Sequence, residues 1–340
     1  DARGDRLGET LRSTRSRPPF ARGASHGCVA VLTSSSRSGL SPLTKRRVSS
    51  RELGLVATEK LLGAEDLHYG YWDDRLELKP ENIRKAQEHY TEFLLSYLPG
   101  PTTASQPTTV LDIGCGTGAT LLKLLKLGYA ADGLCPSKPL CERVRQKQAL
   151  VPDRPSELFD CRFEDLADEK NRGRYDVALF SESFQYIPMP DAFDKLARVV
   201  RPGGTVVICD FFRTRNDGDG GPGDGSFGGG HHLKDFYPQV EASPFEIEID
   251  EDITDRIGPN LDLLNDILMN RLAPVLEMSG QYLQGRNPFI YRTVHWFARK
   301  RLRKIQYKYF SGFRSRETFE RYKTYRLIRL RHGPLQAGPA

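Results

Sequence analysis

Nine residues constrain the rest of the chain: Val110-Leu111-Asp112-Ile113-Gly114-Cys115-Gly116-Thr117-Gly118. An apolar run of strand length meets three glycines at alternate positions, and helical text, Ala119–Leu127, begins at once. Glycine tolerates backbone angles closed to other residues, so the strand can turn sharply and bring backbone close to a ligand. The text downstream keeps the alternation. Strand Ala130–Leu134, helix Pro139–Gln148, a short strand near Phe159–Phe163, strand Asp176–Ser181, helix Asp191–Val200 and strand Thr205–Asp210 follow in order. Such alternation with short connections predicts a parallel sheet covered by helices on both faces. Upstream, Pro80 suits the first position of a helix whose apolar residues (Ile83, Ala86, Tyr90, Phe93, Leu94, Tyr97) recur until Pro99-Gly100.

Gly114, Gly116 and Ala119 formally satisfy the dinucleotide pattern G-x-G-x-x-G/A. Two features speak against a dinucleotide. Asp112 would set a carboxylate beside a pyrophosphate, where like charges repel. The second strand ends in Leu134-Cys135-Pro136, where a ribose-binding acid belongs. A ligand carrying an ammonium and a sulfonium prefers an acidic entrance, and Asp112 therefore points to S-adenosylmethionine.

With these residues the chain resembles the class I S-adenosylmethionine-dependent methyltransferases. Asp112–Gly118 looks like that family's first motif, and Arg201-Pro202-Gly203-Gly204 like its Pro-Gly-Gly turn. The resemblance covers roughly 68–331 and implies an α/β, doubly wound, Rossmann-like sheet of seven strands with the last antiparallel, supplied here by Tyr325–Leu330. It also implies roles. Gly114, Cys115, Gly116 and Gly118 would pass the methionine portion and ribose, and Asp112 would order the turn or accept the cofactor's amino group. Cys135, Pro136 and Ser137 would border the adenosine, and Phe163-Glu164-Asp165 would supply the carboxylate for the adenine amino group. Ser181 would face the methionine tail. Many family members carry an acid at the place of Cys135. This chain is more similar to the branch with tocopherol methyltransferases and cyclopropane fatty acid synthases, where ribose recognition comes from elsewhere. His68-Tyr69-Gly70-Tyr71-Trp72 supports that branch, and the resemblance places Tyr69 and Tyr71 over the sulfonium, as aromatic faces stabilise cations.

Charge is distributed unevenly. Residues 1–51 hold eleven Lys/Arg against three acids, 292–331 hold fourteen against two, and the middle is acidic. An acidic core between basic ends speaks against a nucleic-acid partner. Residues 1–52, rich in Arg, Ser and Gly, read as a disordered leader or an organelle transit peptide. The remainder, 53–331, reads as one domain with a tail at 332–340. Six cysteines without a C-x-x-C pair suggest reduced thiols and an intracellular site, in an organelle if the leader is a transit peptide. No metal-ligand spacing is present. No apolar run approaches the roughly 18 residues of a membrane-spanning helix.

Candidate general bases for an oxygen or carbon acceptor are Glu182, His231 and His232, with Gln185 as a positioner. Residues 217–230 (DGDGGPGDGSFGGG) read as a flexible loop. Segment 250–310 reads as a helical substrate cap over a small-molecule pocket. Val294, Ala298, Leu302, Ile305 and Tyr309 form an apolar stripe on its basic helix, which fits a lid docked on the core or peripheral contact with an anionic membrane. Asn287-Pro288-Phe289-Ile290 resembles the N-P-P-F/Y motif of methyltransferases acting on nucleobase or glutamine nitrogens but stands in the wrong place for it.

Overall fold

The computed structural model describes residues 66–103 and 106–334, so the expected leader and most of the expected tail lie outside the described residues. In chain order the labelled elements are α1 (Ile83–Ser96), β1 (Thr109–Ile113), α2 (Ala119–Leu127), β2 (Ala130–Leu134), α3 (Lys138–Gln148), β3 (Leu158–Phe159), β4 (Tyr175–Ser181) and α4 (Met189–Val199). They continue with β5 (Val200–Arg213), α5 (Leu233–Glu241), β6 (Phe245–Asp252), α6 (Pro259–Asp266), α7 (Ala273–Arg286), α8 (Pro288–Tyr309), α9 (Arg316–Tyr322) and β7 (Lys323–His332). The seven strands lie in the order β3-β2-β1-β4-β5-β7-β6. β1 to β5 are parallel, and β7 is antiparallel to both β5 and β6.

Each central strand is apolar on both faces because helices cover both. In β4, Val177 and Leu179 pack with Tyr90, Leu94, Leu121 and Tyr325, whereas Ala178 and Phe180 pack with Phe184, Phe193, Leu196 and Phe236. This is why the strands read as continuous hydrophobic runs rather than alternating ones. The Pro-Gly-Gly turn proves to be a bulge within β5: Val200 pairs with Tyr175, but Thr205 pairs with Val177. The chain reverses its direction of strand placement between β1 and β4, so the crevice for a ligand opens beyond their C-terminal ends.

Two expectations need correction. The loop 217–230 is packed rather than free. Phe227 and Ser226 are buried, Asp219 accepts from the Tyr322 hydroxyl at 3.0 Å, and the buried Lys323 ammonium bridges Asp217 (3.1 Å) and the Gly229 carbonyl (3.1 Å). Its glycines serve turns, while its acids tie it to α9 and β7. Of the segment 250–310, expected as a cap, only the first part packs on the core. Leu261, Leu263 and Leu268 are buried, but α7 and α8 bury no side chain at all. Their stripe does not dock on the core as a lid. A helical period shows that a helix has an apolar face, and it does not show what covers that face.

Candidate functional site

The glycine turn is built as its sequence requires. Gly114 N–H and Cys115 N–H both donate to the Leu134 carbonyl, at 2.8 and 3.0 Å, which folds the turn against the end of β2. Gly114 has φ +76°, and a Cβ there would lie 2.6 Å from that of Ser183. Gly118, at φ +80°, starts α2, and a Cβ there would press on Val144 of α3. Side chains at either position would force the turn apart.

Asp112 projects from β1 beneath this turn. It is 1% exposed, and its Oδ2 has no hydrogen-bond partner among the described residues. Burial first, then the charges of Cys135 and Asp66, push its carboxyl up to about 7, against the opposing pull of His68. A buried acceptor left without a donor costs free energy in the empty protein, about 1–3 kcal/mol, and such a group calls for a ligand.

Glu182, one residue past β4, has φ +51°, the sole non-glycine in the left-handed region among the described residues. Such geometry costs about 1–3 kcal/mol and persists only where neighbours fix it. Here the Tyr69 N–H donates to Oε1 at 2.7 Å, the Tyr325 hydroxyl to the same oxygen at 2.9 Å, and the Glu182 N–H to the Cys209 carbonyl at 2.9 Å. Oε2 takes no hydrogen bond among the described residues. Burial raises the Glu182 carboxyl above its ordinary value, while His68, the Tyr69 N–H and the Tyr325 hydroxyl offset part of that rise. A row of hydroxyls leads to this carboxylate. Ser181 Oγ donates to Tyr90 Oη at 3.4 Å, and Tyr90 Oη lies 2.9 Å from Tyr325 Oη.

The segment 66–72 lies over the turn. Gly70 exchanges two hydrogen bonds with the Asn260 side chain of α6, at 2.9 and 2.6 Å, and the Tyr71 N–H donates to the Ala86 carbonyl at 2.8 Å. Leu67 faces Gly116, and Asp66 Oδ1 accepts from Thr117 Oγ1 at 3.0 Å. The His68 ring stacks on Tyr90, its Nε2 is 3.6 Å from Asp66, and its Nδ1 meets the Tyr69 carbonyl at 2.8 Å. Burial alone would lower the His68 pKa, but Asp66 and the Tyr69 carbonyl raise it above the ordinary value.

The structure thus brings Tyr69, Asp112, the glycine turn, Ser181 and Glu182 to one end of the sheet. Cys135 is buried in a thiol group with Cys115 and Cys141. Its Sγ lies 3.7 Å from the Ser137 carbonyl, and Cys141 Sγ donates to the Cys135 carbonyl at 3.1 Å. Pro136 and Ser137 lead into α3, and Ser137 Oγ makes no capping bond. Phe163 is a core residue set edge-on to Phe180, Glu164 is engaged by Arg162, and Asp165 is exposed. Two expected residues fall elsewhere. Tyr71 stacks on Phe93 at 4.5 Å, and its charged surroundings are Arg256, Glu251, Asp255 and Asp73, none of them at the turn. His231 Nε2 lies 3.1 and 2.9 Å from the carbonyls of Phe184 and Ile187, so its ring ties a loop together rather than serving as a base.

The sequence does not single out Asp66, Tyr90, Asp210 or Tyr325. Asp210 alone left a signal, an acid closing an apolar strand. It accepts from Gln185 and Phe211 N–H groups (3.0 and 2.8 Å), yet burial pushes it up to about 8. Among the described residues no group of His, Cys, Asp and Glu has metal-binding geometry, and no helix is long and apolar enough to cross a membrane.

A seven-stranded sheet of this order, with a glycine turn and acid at β1, defines the class I methyltransferase fold. Residues 82–241 match the family model described as a methyltransferase domain. The chain thus carries a methyltransferase domain over those residues and shares the fold of the class I methyltransferases. It is similar to the methyltransferase GfsG of Streptomyces halstedii, 33% identical over 47% of this chain and 58% of that protein. It is 28% identical to a probable chloroplastic tocopherol O-methyltransferase of Oryza sativa subsp. japonica, over 42% of this chain and 40% of that one. The chain spans about half the length of the curated relatives it matches. Among solved structures, geranyl diphosphate methyltransferase with GPP and sinefungin shares the fold at 18% identity and TM-score 0.56, over 82% of this chain and 93% of that one.

Proposed function

We propose that the chain binds S-adenosylmethionine at the C-terminal ends of β1, β2 and β4 and methylates a small-molecule acceptor. The observation that carries this is Asp112, whose buried, unpartnered Oδ2 beside the glycine turn fits a cationic ligand. When bound, S-adenosylmethionine supplies an electrophilic methyl on a sulfonium. Asp112 would accept from the ammonium of its methionine portion, with Gly114, Gly116 and Gly118 allowing close passage of the backbone. Ser181 and the Tyr69 ring would border the same ligand. Pro136, the free Ser137 hydroxyl and the exposed Asp165 stand where the adenosine would lie. Cys135, turned into its thiol group, leaves ribose recognition to other groups.

Glu182 is the residue that would move a proton. Transfer to a hydroxyl acceptor releases that hydroxyl's proton, and Oε2 of Glu182 is free to receive it. Its raised pKa makes it a better base than an ordinary carboxylate. The segment 66–72 and α6 would exclude water above it. The exposed apolar faces of α7 and α8 favour a second reading, in which the acceptor is a lipid or prenylated compound.

Calorimetric titration with S-adenosylhomocysteine, with NADH as control, tests the cofactor. Binding of the first alone is expected, followed by labelled methyl transfer into an extract. A folded protein that binds neither overturns the proposal, and binding without any methylated product leaves a cofactor-binding protein that is not an enzyme.

A further inference from the structure

Helices α7 and α8 form a hairpin joined at Asn287, and neither buries a side chain. A six-residue π-helical stretch, Ile267–Leu272, links the hairpin to α6, which is docked on the core. Near the hairpin's tip stand Tyr282, Leu283, Phe289, Ile290, Trp296 and Phe297, each more than half exposed, with Phe289 at 82% and Phe297 at 78%. A concentration of apolar surface this large on a folded chain marks a partner.

The charge beside it says which partner. Arg299, Lys300, Arg301, Arg303 and Lys304 follow directly along α8, all exposed and without an acidic partner among the described residues. Helix α8 contains no Asp or Glu, and α7 only Glu277. At about 1.5 Å per residue, these cations lie about 3 to 11 Å beyond Phe297 toward the core. A second copy of the hairpin would set cations against cations with only Glu277 of each α7 to relieve them. A nucleic acid would satisfy the cations but leave Leu283, Ile290 and Val294 in water.

We infer that the α7–α8 hairpin docks the chain on an anionic lipid bilayer surface, with Trp296 and Phe297 entering the headgroup–acyl boundary and Arg299–Lys304 meeting lipid phosphates. The contact is peripheral, since no described helix can span a bilayer. It does not depend on the identity of the methyl acceptor.

The chain has two tryptophans, and Trp72 is 4% exposed against 68% for Trp296. Trp296 therefore reports insertion. The full chain is mixed with phosphatidylglycerol/phosphatidylcholine vesicles and with pure phosphatidylcholine vesicles. Cosedimentation with the first and a blue shift of tryptophan emission that Trp296→Phe abolishes are expected. The triple variant Arg299→Gln/Arg303→Gln/Lys304→Gln should weaken vesicle binding by more than about tenfold with S-adenosylhomocysteine binding unchanged, so failure of docking and failure of the cofactor proposal are separable. No vesicle binding, equal binding to neutral vesicles, a shift of Trp296 caused by an RNA oligonucleotide but not by lipid, or a lipid-free dimer that buries Trp296 overturns the inference.

Discussion

Replacing Asp112 by Asn should make the empty protein more stable and the liganded one weaker. An ordinary aspartate ionises near 3.8, and burial carries Asp112 to about 7. At about 1.36 kcal/mol per decade, ionising it in the fold costs on the order of 4 kcal/mol. The sign follows from the raised value: stability is full below the unfolded-state pKa and is lost as pH rises toward about 7. The isosteric amide removes that loss. At pH 8 Asp112→Asn should raise the melting temperature by several degrees in scanning calorimetry, at about 2–4 °C per kcal/mol. Binding shows the opposite. Between pH 5.5 and 7.0 the ionised fraction of a group titrating near 7 rises about fifteenfold, and S-adenosylhomocysteine affinity should rise with it. That range stays below the ordinary α-amino pKa. Asp112→Asn should bind at least tenfold more weakly at pH 7 and lose most of the slope. A variant of wild-type affinity and slope, or one that melts lower at pH 8, would refute the assignment of Asp112 to a cationic ligand.

Four further outcomes follow from other contacts. Glu182→Gln should lower the rate of methyl transfer to an oxygen acceptor by about a hundredfold or more while leaving S-adenosylhomocysteine affinity within about threefold; Tyr325→Phe, which removes one donor from Oε1, should shift the pH profile of that rate upward. His231→Ala should cost about 1–3 kcal/mol in urea unfolding without changing cofactor affinity, since its ring bonds only backbone carbonyls. Asp217→Ala should destabilise the protein by about 3 kcal/mol, because the Lys323 ammonium, fully buried, keeps just the Gly229 carbonyl; a chain unaffected in urea would mean that 217–230 is as free as its composition suggests.

The fold was legible where local chemistry dictates it. Three glycines at alternate positions leave few backbone paths, so β1 and its turn could be placed from the text, whereas Pro202-Gly203-Gly204, read as a turn, lies within β5 as a bulge. Asp112 was legible for the same reason. Contacts between distant residues were not. Tyr325 reaches Glu182 across 143 residues, and nothing in Tyr-Arg-Leu-Ile announces that this core tyrosine also caps a carboxylate. Tyr71 and Tyr69 are equivalent in the text, yet two residues along an extended segment carry one ring to Phe93 and the other to Phe319 and Tyr325. Loop 217–230 misled because its glycines conceal acids aimed at buried partners on β7. The hairpin misled in the other direction, since a stripe at helical spacing promises a mate that the chain itself does not provide.

The last strand of the sheet is an interior one. β7 separates β5 from β6, pairs with both, and contributes the tyrosine that holds Glu182. During synthesis, then, the ribosome must deliver the chain past Lys323 before the sheet can close. Until that moment β5, one of the most apolar strands, has an open edge of the kind that recruits other strands. A chain terminated ahead of β7 would lack the hydroxyl on Glu182 and would expose that edge to aggregation and proteolysis. Closure of the sheet by β7 and completion of the candidate site are therefore one event, which ties the site to chains that contain β7.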